Sequence, residues 1–222
     1  MSELPVALVH GFAASCATTW RDPGWFDLLA DTGREMIGID LLGHGSAPKP
    51  HDPRAYDGLE DHAAANLPAG PVDAIGFSLG ARVLLVLAAR EPQRFGRLVV
   101  AGVGASLFVE PDPTPIAVAI ESEPAPDDRV GQHFAQLAHA PGNDPQALAA
   151  CLRRNAPNIT PDLLATVSQP VLVVLGDRDF AGPPDPLLDA LGNAELTTLR
   201  GVDHFATPRA FGFIDAALSF LA

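Results

Sequence analysis

Cysteine is nearly absent. The 222 residues hold two, Cys16 and Cys151, far apart in the chain. That excludes a disulfide framework, which needs several ordered pairs. It also excludes a thiolate metal centre, because neither cysteine has metal-ligand spacing. His133 and His139 are six apart and so do not share a helix face, which leaves no metal site to predict. Two reduced, buried thiols suit a reducing cytosol, and Met1-Ser2-Glu3 lacks the basic start of an export signal. A cytoplasmic protein is therefore predicted.

Positive charge is scarce as well. Fourteen Lys and Arg stand against 27 Asp and Glu, a formal net charge of -13. Such a chain is repelled by phosphate backbones and by anionic lipid, which argues against nucleic acid and membrane surfaces as partners. No apolar run approaches the length of a membrane span, and no repeat or phosphate-binding G-x-x-x-x-G-K-[ST] is present. What remains is 47% hydrophobic and 18% charged, the composition of a globular domain with length enough for a real core.

The hydrophobic residues come in short continuous runs. Val6–Val9, Met36–Asp40, Val72–Ile75, Arg97–Val103, Pro170–Leu175 and Glu195–Leu199 each have the length of a strand. Val6–Val9, apolar at every position, has the pattern of a strand covered on both faces, as in parallel sheets. Helical patterns fall between them, over 24–30, 59–66, 81–90 and 206–221. On the closing helix, Phe211, Ile214, Leu218 and Leu221 are expected to share one face. Alternation of this kind predicts an α/β fold with a doubly wound, mostly parallel sheet.

Residues 107–167 break the alternation. They open with the proline- and acid-rich Val109–Pro115 and meet a second such cluster at Glu121–Asp128. Two or three short helices are expected after it. One runs over 129–140, with Val130, Phe134, Leu137 and Ala138 on one face. Another follows Asp144-Pro145, with Asp144 as its N-cap. A long insertion in a compact domain is more often functional than idle. The expected organisation is a core of 1–106 and 168–222 carrying a small helical cap of 107–167. The stretch 110–128 is expected to be more mobile than the sheet.

The stretch Gly76-Phe77-Ser78-Leu79-Gly80 joins a strand directly to a helix. A G-x-S-x-G at such a junction forces the serine into an uncommon backbone conformation and holds its Oγ out above the sheet. A serine hydroxyl is a poor nucleophile unaided, so it requires a base, a group orienting the base, and an oxyanion hole. Candidates follow the next strands: Gly176-Asp177-Arg178-Asp179 after the fifth, and Asp203-His204-Phe205 after the sixth. In an open α/β sheet the C-terminal strand ends face one crevice, which would bring Ser78, an acid and His204 together.

These pieces, with His10-Gly11-Phe12 after the first strand and Asp40-Leu41-Leu42-Gly43-His44-Gly45-Ser46 after the second, resemble the α/β-hydrolase fold. The likeness covers nearly the whole chain and is specific for the superfamily, not for a substrate. That family usually has two further strands before the His-Gly strand. Here that strand begins within ten residues of Met1, which implies a trimmed sheet of about six strands. The resemblance implies Ser78 as nucleophile and His204 as general base. Asp179 would be the catalytic carboxylate, with Asp177 its rival and Asp203 structural. The backbone N–H groups of Phe12 and Leu79 would form the oxyanion hole, and His10 and His44 would stabilise turns. No cofactor is implied.

Apolar walls are expected from Phe12, Ala13, Leu79, Phe180 and Phe205, joined from the cap by Phe108, Ile116 or Phe134. Arg153-Arg154 reads as a solvated helix end. The expected activity is hydrolysis of a small-molecule carboxylic ester, thioester or lactone with a mostly apolar acyl group. The alternatives are a cofactor-free peroxidase or lyase, or a ligand-binding protein without turnover.

Overall fold

The computed structural model describes residues 3–109, 112–122 and 124–222. Met1, Ser2, Glu110, Pro111 and Glu123 lie outside the described residues. They include part of the stretch 110–128 expected to move and part of the start read for an export signal.

Each apolar run becomes a strand: β1 (Val6–Val9), β2 (Met36–Ile39), β3 (Val72–Phe77), β4 (Phe95–Ala101), β5 (Val171–Gly176) and β6 (Ala194–Leu199). The order is β2-β1-β3-β4-β5-β6, and every neighbouring pair is parallel. Between the strands and beyond them lie α1 (Trp25–Asp31), α2 (Leu59–Ala65), α3 (Leu79–Arg90), α4 (Thr114–Glu121), α5 (Arg129–Ala138), α6 (Pro145–Leu152), α7 (Pro161–Leu164), α8 (Asp185–Ala190) and α9 (Phe211–Leu221).

The side-chain period of two sorts each strand between two cores. Ala7, Val9, Ala74, Leu98, Val100 and Val173 face one cluster, closed by α2, α3, α7 and α8. Val6, Leu8, Ile75, Phe77, Val99 and Val174 face the other, closed by Trp20, Trp25 and α9. Both faces of the central strands are covered, so their runs are mostly apolar, while the edge strand β6 is largely exposed; the sheet is doubly wound as expected.

Two predicted helix faces are corrected. On α9 the buried side chains are Phe213, Ile214, Ala217 and Leu221, while Phe211 is 88% exposed at the first turn. Val130 on α5 is likewise exposed. A third finding is α4, which the sequence reading passed over between two proline clusters. Its Pro115 sits in the first turn, where the missing N–H breaks no helical bond.

α4, α5 and α6 lie between β4 and β5 in sequence. They pack on one another through Ala117, Ile120, Ala138, Leu148 and Ala149, and Ala13 from the loop after β1 enters the same cluster. Asp144 caps α6 as the sequence suggests, accepting from the amides of Gln146 and Ala147.

A buried ion pair ties the sheet together at the end away from Ser78. Arg34 Nη2 donates to Asp73 Oδ2 at 2.5 Å, with both residues almost wholly buried. Arg34 also donates to the carbonyls of Leu4 and Leu221, and Asp73 Oδ1 accepts from the Arg97 amide. Removing one partner strands a charge in the interior. Arg34→Met should therefore destabilise the protein by about 3–5 kcal/mol. Urea unfolding of the variant beside the parent measures it; a loss under about 1 kcal/mol would mean that water reaches Asp73.

Candidate active site

β3 ends at Phe77 and α3 begins at Leu79, so Ser78 alone makes the turn. It does so at φ 52°, ψ -111°, a region that residues with a Cβ seldom occupy. Close packing leaves no other path. A Cβ on Gly80 would lie 2.3 Å from the carbonyl oxygen of Val9, and one on Gly76 would lie 2.8 Å from the backbone of Gly80 and Ala81. The Ser78 amide is held by the Ala101 carbonyl at 2.8 Å.

The hydroxyl so presented meets a histidine. Ser78 Oγ lies 3.0 Å from His204 Nε2. On the other side of the ring, His204 Nδ1 lies 2.9 and 3.0 Å from the two oxygens of Asp179. A carboxylate accepts only, so Nδ1 carries the proton and Nε2 turns its lone pair to the serine. The Asp179 side chain is fully buried, and its Oδ1 also accepts from the Ala181 amide. The imidazole packs against the rings of Phe77 and Phe180, at centroid distances of 4.9 and 4.3 Å.

The rival acids go elsewhere. Asp177 is exposed and accepts from the Gly201 amide at 2.7 Å, bracing one loop against the next. Asp203 accepts from the Ala206 amide.

The loop after β1 faces the serine from the neighbouring strand. His10 Nδ1 donates to the Gly11 carbonyl at 2.7 Å, and His10 Nε2 accepts from the Leu41 amide. In a trans peptide the carbonyl and the next N–H point opposite ways, so fixing the Gly11 carbonyl also aims the Phe12 N–H. Burial pushes the His10 pKa down, which favours the neutral ring, and its two hydrogen bonds select this tautomer. His44 donates from Nδ1 to the Leu42 carbonyl, and burial, with His10 nearby, lowers its pKa to about 3. Both therefore hold loops, and neither contacts Ser78. Asp40 works similarly. Burial opposes its charge, but the Ser46 and Cys16 amides and the Ser46 hydroxyl outweigh that and hold its carboxyl below the usual range.

Above Ser78 and His204 is a cavity of about 400 Å³. Phe12, Ala13, Phe180 and Phe205 line it from the sheet side; Ile116, Phe134, Leu137 and Leu152 line it from the inserted helices. Phe108 does not line it. The turn Ala105–Phe108 packs that half-buried ring against the core cluster that holds α3 instead. The Leu79 side chain also belongs to that core, and its amide lies in the first turn of α3.

Sequence reasoning missed His133 and Arg209, the cavity's further imidazole and its one basic side chain. Nothing local marked Arg209, which follows the histidine loop by five residues. Arg153, singled out earlier, instead pairs with Glu121 at 2.5 and 2.6 Å outside the cavity.

A family model described as the alpha/beta hydrolase family matches residues 6–216. The chain belongs to this family. Among curated relatives it is similar to the pimeloyl-[acyl-carrier protein] methyl ester esterase of Neisseria meningitidis, with 33% identity over 177 residues. That match takes in 66% of this chain and 65% of the relative, so it spans just under two thirds of that protein's length. The 2-hydroxymuconate semialdehyde hydrolase of a Pseudomonas strain matches 44% of the chain and 36% of its own length, at 33% identity. Among solved structures, the enol-lactonase of Burkholderia xenovorans shares the fold with a TM-score of 0.77 and 20% identity, over 100% of this chain and 92% of its own.

The buried histidines make stability depend on pH. His44 titrates near 6.5 when unfolded and near 3 when folded, so between those values the unfolded chain binds more protons. Its contribution is complete above pH 6.5 and is lost as pH falls towards 3. Denaturant midpoints should therefore fall on acidification. In His44→Gln the fall from pH 6.5 to about 5, above most carboxylate titrations, should be shallower. Equal slopes in the two proteins would show that His44 is not the group concerned.

Proposed function

We propose that the protein is a serine hydrolase. Its substrate would be a small to medium, mostly apolar carboxylic ester, or the related thioester or lactone, cleaved through an acyl-enzyme at Ser78. The observation that carries this is the line Ser78 Oγ–His204 Nε2–His204 Nδ1–Asp179, closed at 3.0 and 2.9 Å on the floor of an apolar cavity.

In this reading His204 takes the Ser78 proton as Oγ attacks the carbonyl carbon. The Phe12 and Leu79 amides receive the oxyanion, each donor lowering the barrier by about 3 kcal/mol. His204 then protonates the leaving group, and water activated by the same ring frees the acid. Asp179 keeps the tautomer and stabilises the imidazolium. Residues 107–167 act as a cap over a core of 1–106 and 168–222.

One relative is named for a methyl ester, which supports ester cleavage as the default chemistry. Among the described residues that line the cavity there is no carboxylate, and Arg209 stands there as a cation. This supports a substrate with one negative group beyond its apolar part. Burial pushes both free cysteine thiols up to about 11, so they are unreactive, consistent with a cytoplasmic enzyme. Among the described residues, no helix is long and apolar enough to cross a membrane.

A small fluorophosphonate should add stoichiometrically to the parent and not to Ser78→Ala, as read by intact-protein mass spectrometry. No adduct and no turnover on a panel of esters, thioesters and lactones would move the reading to a ligand-binding protein. Asp179→Asn should cut kcat by about 10⁴-fold while Asp177→Asn stays within roughly threefold of the parent; the reverse order would reassign the acid. The parent should prefer the p-nitrophenyl half-ester of a dicarboxylic acid over its neutral methyl ester by about tenfold in kcat/KM, and Arg209→Met should erase that preference. A preference that survives in Arg209→Met would place the anion elsewhere.

A further inference from the structure

We propose that Asn143 is a positioning residue for the oxyanion hole, through which the inserted helices govern the chemical step. The inference rests on the acyl-transfer reading above. Asn143 lies between α5 and α6, and its Nδ2 donates to the carbonyls of Ala13 at 2.9 Å and Leu137 at 2.8 Å. Both acceptors are carbonyl oxygens, so the amide must present its NH2 group to them, and each of its two protons is used.

One of those carbonyls belongs to a strained residue. Ala13 stands at φ 55°, a left-handed conformation uncommon for a residue with a Cβ. It is 4% exposed, packed among Ala117, Ile120, Ala138 and Leu148 of the insertion. The three residues 11–13 are thus clamped twice, His10 holding the Gly11 carbonyl and Asn143 holding the Ala13 carbonyl. The Phe12 N–H lies between the clamps. Without the second clamp, Ala13 is free to return to negative φ, and the turn that presents the Phe12 amide unwinds with it.

The oxyanion exists only in the transition state and the tetrahedral intermediate, so misplacing its donor slows the step without weakening substrate binding. Asn143 touches neither serine nor histidine. Its effect reaches the reaction only through the backbone of Ala13.

The test compares the parent with Asn143→Asp, which keeps the shape but loses both donors, and with Asn143→Ala in case the first does not fold. Each is assayed for kcat and KM on a p-nitrophenyl ester. Each is then titrated with a trifluoromethyl ketone and with the matching methyl ketone. Ser78 Oγ adds to the trifluoromethyl ketone carbonyl and its proton passes to His204, leaving the hemiketal oxyanion in the hole; the methyl ketone binds without stable addition.

We expect kcat to fall at least about tenfold with KM held within about threefold. Affinity for the trifluoromethyl ketone should fall in proportion to kcat, with the methyl ketone unaffected. Unchanged kcat, or equal losses for both ketones, would overturn the assignment, because general damage to the site does not discriminate between them. If the parent itself neither turns over ester nor forms the hemiketal, the acyl-transfer reading fails and takes this proposal with it. If the parent does both and the variants match it, the proposal alone fails.

Discussion

A serine held at φ 52°, ψ -111° is the constraint on which the rest of the site depends. Left to itself the backbone would relax, since such a conformation costs about 1–3 kcal/mol. Three features prevent that. β3 is hydrogen-bonded on both sides, to β1 and to β4, so its end cannot slide. α3 buries nine of its twelve residues, so it cannot tilt away. Gly76 and Gly80 then let strand and helix close on each other to a distance that no side chain would permit. The strained residue therefore sits in the middle of the sheet, where surrounding structure is densest.

The same location explains why residues distant in sequence converge. The chain builds β1, crosses to β2 on one side, and returns to place β3 on the other. The loops leaving β1 and β3 must part in opposite directions, and the gap between them is the crevice of an open α/β sheet. Phe12 and Ser78 border it from adjacent strands, while Asp179 and His204 reach it from the ends of β5 and β6.

Much of this was readable in the residues because the central strands β1, β3, β4 and β5 are mostly apolar and lie in a sheet covered on both faces. The G-x-S-x-G junction was equally legible, since its glycines have a steric purpose local to the turn. Reading stayed open, or failed, where the answer depended on what a segment meets in space. Asp177 and Asp179 differ by two positions, and what separates them is that the first meets the Gly201 amide and the second the imidazole. Prolines were read as interruptions around Pro115, yet that proline opens a helix, as Pro145 does in the helix that was read correctly. Phe211 fits the apolar period of α9 as well as Phe213 does, but only Phe213 meets Trp20 and Trp25. Phe108 is aromatic and falls within 107–167, but its turn packs it against the core instead. Arg209 carried no pattern at all; it becomes visible only as a side chain lining the cavity.

The three groups of the candidate site do not stand on equally firm ground. Ser78 leaves a central strand, whereas His204 follows β6, which has a single neighbour and five of its six residues partly or fully exposed. Edge elements open locally at lower free energy than the core does. As temperature rises, the imidazole's support would loosen while the serine's remains intact. Inactivation would then precede melting, and its early phase would be reversible, because cooling re-forms one strand pairing against a sheet that never came apart.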